Sequence, residues 1–154
     1  VAYASPLLAA AAAIPLLLIH QSEPEFELAL AVERGQASEH RRASEPDPAA
    51  ASRRSIAAHT GDVVRPSVRG EHHRAIRVFL DEHRLVAACP EDPGCRDAGG
   101  ELTLELHLTA PGKYAIIGLG SSDPLAAPGA TLEQTQIAAR RAAIHTQIKR
   151  LDVE

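Results

Sequence analysis

Alternation of apolar and polar residues is clearest in ELTLELHL, residues 101 to 108. Leu102, Leu104, Leu106 and Leu108 share one face there, and Glu101, Thr103, Glu105 and His107 share the other. A period of two is that of a strand with one face buried and one in water, so a half-buried strand is expected. FELALAV, residues 26 to 32, repeats the pattern, setting Phe26, Leu28, Leu30 and Val32 against Glu27, Ala29 and Ala31. AIRVFL places Ile76, Val78 and Leu80 on one face, and DEHR turns the chain into LVAAC, which predicts a hairpin. In KYAIIGLG, residues 113 to 120, the apolar run is almost unbroken and suits a strand covered on both faces. The turn signal Ala110-Pro111-Gly112 predicts that this strand forms a second hairpin with ELTLELHL.

The last third of the chain changes period. Thr131 and Gln134 make the T-x-x-Q capping pattern, which predicts a helix running to about Ala143. IHTQIKRLDVE then returns to alternation, with a phase shift between Ile148 and Leu151. A bulge there would keep both apolar sets inward. Six or seven short strands with one late helix predict a mostly β domain. It is antiparallel and β-sandwich-like, or α+β, with its helix in the C-terminal half.

VAYASPLLAAAAAIPLLLI, residues 1 to 19, carries no charge and at about 1.5 Å per residue would just cross a hydrocarbon layer about 30 Å thick. Pro6 and Pro15 would bend such a helix, which keeps a secretory signal in contention, and a buried core helix is the third reading. The uncleaved anchor is preferred, because no small-x-small cleavage pattern follows the apolar run. The flank after it holds Glu23, Glu25 and Glu27 and no basic residue before Arg34, which fits an end facing away from the cytoplasm. The expected organisation is a transmembrane anchor or signal-like helix over residues 1 to 20 and an extracytoplasmic β-rich domain over residues 21 to 154. Within that domain, QASEHRRASEPDPAAASRRS, residues 36 to 55, lacks periodicity and is expected to be a long exposed loop. The chain contains no methionine, so an upstream segment or an alternative start at Val1 is also expected.

Composition narrows the function classes. With 154 residues and 45% hydrophobic content the chain fills one core. Aromatics are 3% and the formal net charge is -4, so neither stacking platforms nor a basic footprint for nucleic acid is expected.

CPEDPGC holds both cysteines, Cys89 and Cys95, with Pro90, Pro93 and Gly94 between them. Such a turn brings two thiols within the roughly 5.5 Å Cα separation of a disulfide, and an exported domain would oxidise them to a structural clip. A zinc site would need His83 and His107 as further ligands at an unusual C-x5-C spacing. Redox catalysis prefers C-x-x-C at a helix start, which is absent. His72, His73 and His83 invite a metal hypothesis, although adjacent histidines on a strand point to opposite faces. Solvent-facing loop histidines are the plainer reading. Ser121 and Ser122 in GLGSSD match neither a nucleophile elbow nor a phosphate loop, so no catalytic residue and no cofactor are expected. Arg140 and Arg141 near the end of the expected helix suit its dipole.

The order FELALAVERG, GDVVRPSVRG, AIRVFLDEHRLVAAC, APGKYAIIGLGSSDPL, then a capped helix and a terminal strand, resembles a bacterial membrane-anchored envelope domain of myxobacterial type. That domain occurs in the C-terminal extracytoplasmic regions of anti-sigma-factor-like proteins. The resemblance covers roughly residues 25 to 154 and implies a non-enzymatic β-rich domain behind a single transmembrane helix in the cytoplasmic membrane. In the fuller proteins the regulatory chemistry belongs to an upstream cytoplasmic segment, sometimes a small zinc-binding module. No such motif stands in this sequence, and no family catalytic residues transfer. The expected function is a membrane-anchored extracytoplasmic interaction or sensory domain, whose partner is another envelope protein or a ligand. The alternatives are a periplasmic metal-binding protein using the histidines, and a hydrolase using Ser121 or Ser122.

Overall fold

The structure, a computed structural model, describes residues 26–35 and 55–154. The helix expected over residues 1 to 20 and nearly all of the loop expected over residues 36 to 55 lie outside the described residues.

Two β-sheets and one helix make up the described chain. The first sheet holds β1 (Glu27–Glu33), β3 (Val63–Arg69), β7 (Glu101–Leu104) and β6 (Cys95–Ala98) in that order, with β8 (Leu106–His107) also on β3. In the second sheet the order is β2 (Ile56–Ala58), β10 (His145–Val153), β9 (Gly112–Ser121), β4 (His73–Leu80) and β5 (Arg84–Cys89). Every pairing is antiparallel except that of β2 with β10. The helix α1 (Leu132–Arg141) begins where the capping pattern placed it: the Thr131 hydroxyl accepts from Gln134 N at 3.2 Å, and the Gln134 side chain accepts from Ala130 N at 3.1 Å.

Period-two alternation decides which side chains meet. From the first sheet Leu28, Val64, Val68, Leu102, Leu104 and Leu108 turn inward against Ile76, Val78, Leu80, Tyr114, Ile116, Leu151 and Val153 of the second. The other face of the second sheet carries Ala75, Phe79, Ala115, Ile117 and Leu119, covered by Leu132 and Ala139 of α1. β4 and β9 are therefore buried on both faces, as the apolar run of KYAIIGLG anticipated. Two glycines of β9 let the sheets approach: a Cβ on Gly118 would stand 2.8 Å from Val68 Cγ2, and one on Gly120 would stand 2.5 Å from the Phe26 ring.

Three expectations are corrected. The leucine strand is broken at Glu105, and the cause lies in its neighbour. The register that pairs Ser67 with Thr103 and Val64 with Leu106 brings Leu104 opposite Pro66, whose nitrogen has no hydrogen to donate. The Ala110-Pro111-Gly112 turn forms no hairpin; it carries the chain from the first sheet to the second, and the Tyr114 hydroxyl donates to Ala110 O at 2.9 Å across it. A hairpin would have left Ala115, Ile117 and Leu119 on the first sheet's watery face. Finally, β10 has no bulge. Its register with β9 runs unbroken from His145↔Gly120 to Val153↔Gly112. Ile148 packs on the helix side while Leu151 and Val153 enter the space between the sheets, so the phase shift reflects two buried faces.

The edges are closed by side chains as well as by strands. Gln147 of β10 reaches the rim of β1, accepting from Leu28 N at 2.9 Å and donating to Phe26 O at 2.8 Å, and so imitates a neighbouring strand. The edge strand β5 carries a register shift against β4 between Val78 and Phe79, which twists it away from flat pairing.

Candidate functional site

The corner where β5 ends and β6 begins concentrates the distinctive chemistry. Cys89 closes the edge strand of the second sheet and Cys95 opens the edge strand of the first. They are joined by a disulfide with a Cα separation of 5.7 Å. Asp92 organises the loop between them: its N–H donates to Ala88 O at 2.7 Å, its carbonyl accepts from Cys95 N at 3.0 Å, and its carboxylate accepts from Gly94 N at 2.9 Å. Gly94 passes so close to the leucine strand that a Cβ there would stand 2.8 Å from Glu105 O. The cysteines, bonded to each other, offer no thiolates to zinc.

Against this loop lies a residue that sequence reasoning missed. Arg77 of β4 is 2% exposed, on the face it shares with Ala75 and Phe79. Its Nη1 donates to Cys89 O, lies 3.4 Å from Ile76 O and meets Glu91 Oε2 at 3.2 Å, while its Nε finds no partner among the described residues. Burial pushes its pKa down, and the nearby Glu91 carboxylate opposes that shift. The available signal was an arginine at the centre of an apolar strand, between residues whose facing neighbours are apolar as well.

The histidines of the metal hypothesis are not brought together. His73 opens β4, and the ring of His72 stands edge-on to it at 5.6 Å. His83 lies beyond the other end of the strand, in the turn to β5, so the length of an eight-residue strand separates it from the pair. His107 sits on the outer face of the first sheet, 3.5 Å from Glu105. Among the described residues no group of three or more His, Cys, Asp or Glu side chains is arranged to hold a metal ion. A different histidine joins the His73 end: His145 lies 3.3 Å from Glu71 and packs edge-on against Phe26.

Ser121 is the last residue of β9 and stands opposite His73 in the register. Its hydroxyl accepts from Asp123 N at 3.1 Å, closing the turn that leaves the strand. Arg140 and Arg141 occupy the last turn of α1, exposed, where their charge favours the helix dipole.

One buried carboxylate has a structural role. Asp62 is 4% exposed and accepts from His59 N at 2.9 Å and Gly35 N at 3.0 Å. Burial alone would raise its pKa, but these two donors and the nearby His59 and Arg34 outweigh it and hold the carboxyl below its ordinary value. The outer face of the first sheet is polar and paired: Arg65 bonds Glu33 and Glu105, and Arg69 bonds Glu101 at 2.7 Å. These hydrogen bonds raise both arginine pKa values and lower those of Glu101 and Glu105.

Compared with protein-family models, with curated proteins and with solved structures, the chain matches none. Among the described residues, no helix is long and apolar enough to cross a membrane.

Proposed function

We propose that this chain is a non-enzymatic extracytoplasmic domain of a bacterial envelope protein, anchored by residues 1 to 19, that binds or senses another envelope component. The observation that carries the reading is the Cys89–Cys95 disulfide, since such bonds form and persist in oxidising compartments. It agrees with the uncharged N-terminal run and its acidic flank. The two sheets, packed face to face with one helix outside them, form a sandwich-like scaffold on which binding needs no catalytic constellation. The order of its segments, together with the resemblance drawn from it, supports membership of an anti-sigma-type regulator. In that case the folded domain supplies the input and a cytoplasmic segment the output.

A topology fusion tests this reading. A phosphatase that becomes active only after its own disulfides form, joined after Glu154 of the natural protein in bacterial cells, is expected to be active. An inactive phosphatase on a well-expressed fusion would place the domain in the cytoplasm and overturn the proposal.

A further inference from the structure

Arg77 and the disulfide are tied together by the loop between the cysteines. The guanidinium is buried in an apolar layer, with Ala75 and Phe79 along its own strand and Ile117 opposite it on β9. A cation in such a place is tolerated only while its partners stay in position. Its charged partner is Glu91, and the carbonyl on which it closes belongs to Cys89. Both lie within the segment from Cys89 to Cys95, whose ends the disulfide holds together. Glu91 is 54% exposed, so little besides that closed loop keeps its carboxylate over the guanidinium. The loop is also where the two sheets meet at their edges, with Ala88 O held by Asp92 N and Gly94 O by Glu105 N.

We propose that Cys89–Cys95 is a thiol-exchange site whose redox state decides whether the buried Arg77 keeps its charged partner Glu91, so that a dithiol reductant loosens the corner joining the two sheets. The sulfurs differ in access, because Cys89 is fully buried and Cys95 only partly. A thiolate of the reductant attacks the Cys95 sulfur, forms a mixed disulfide with it and displaces Cys89 as a thiolate. The second thiol of the reductant then displaces Cys95. The reductant leaves as a disulfide, and the two protein sulfurs, having gained two electrons, take up two protons. With the loop open, Glu91 moves into water, and the guanidinium keeps the strand carbonyls of Cys89 and Ile76 but loses its charged partner. The corner opens to hydrate it. This device works on the chain itself, whichever side of a membrane it occupies.

The test uses the purified full chain in mild detergent, melted with its disulfide intact and after dithiothreitol, as wild type, as Arg77→Met and as Glu91→Gln. Reduction is expected to lower the wild-type Tm by several degrees more than that of Arg77→Met, which has no buried charge to strand. Glu91→Gln is expected to fall between them. It also serves if Arg77→Met does not fold, since Glu91 is largely in water. Hydrogen exchange on the reduced wild type is expected to speed up at Asp92 N and Glu105 N. Equal falls in Tm for all folded variants would overturn the proposal by leaving the disulfide only its effect on the unfolded chain. A native disulfide that dithiothreitol does not reduce would overturn it equally.

Discussion

The two sheets each hold five strands but solve different problems. The first has one buried face and shows water a lattice of paired charges, Glu33–Arg65–Glu105 and Arg69–Glu101. The second is covered on both faces, by the first sheet and by α1, and its central strands β4 and β9 are buried along most of their length. A second buried face leaves a polar residue nowhere to go. Arg77 is the exception on that face, and its partners come from the disulfide loop. The same side-chain chemistry is thus tolerant of change on one sheet and tightly coupled on the other.

Phe79 and Thr103 test that contrast most severely, each lying on the outer face of its sheet. Phe79 is fully buried under the helix layer, so Phe79→Ala is expected to cost about 3–5 kcal/mol in urea unfolding. Thr103→Ala, on the watery face of the first sheet, is expected to change stability by about 0.5 kcal/mol or less. Comparable losses would mean that the first sheet's outer face is not open. Gly118→Ala comes next. Its new methyl group would press on Val68, and the overpacking is expected to cost about 1–3 kcal/mol, with Val68→Ala restoring part of the loss by making room.

Asp62→Ala strips the acceptors from Gly35 N and His59 N and is expected to cost about 1–3 kcal/mol. The sign with pH follows from its lowered pKa. The stabilisation is complete above the unfolded carboxyl value of about 3.9 and is lost as the pH falls through the lower folded value. Unfolding free energies measured from pH 7 into the acid range should therefore drop less for Asp62→Asn than for the wild type. At the small end stands Arg65→Gln, on the exposed lattice. It is expected to leave the Tm unchanged within error at moderate salt, because exposed pairs are screened and mobile.

Local features of the sequence carried far in this protein. Leucines at every second position announced the first sheet's inner row, and T-x-x-Q announced the start of α1. The Cys-x5-Cys turn announced the disulfide. What pairing depends on was less visible. Pro66 interrupts a strand about 40 residues away in sequence, and nothing in ELTLELHL records that neighbour. Ala-Pro-Gly reads the same whether a turn folds back or crosses to another sheet; Tyr114 and the second apolar face of β9 decided for crossing. The phase shift in β10 implies a bulge only where a strand has one buried side, and β10 has two. For the candidate site, the cysteines were legible because their chemistry is local. Arg77 was hidden because its significance rests on Glu91 and Cys89, which only the fold brings to it.

The most direct test of the account as a whole is the thiol accessibility of Cys89 and Cys95 in intact cells expressing the natural protein. A membrane-impermeant alkylating reagent would be applied before and after a reductant. Labelling that requires reduction but not lysis is predicted, as for an oxidised clip outside the cytoplasmic membrane. Thiols that stay unlabelled until lysis and then react without reductant would contradict it, placing the domain in a reducing compartment and removing the clip on which the proposed function rests.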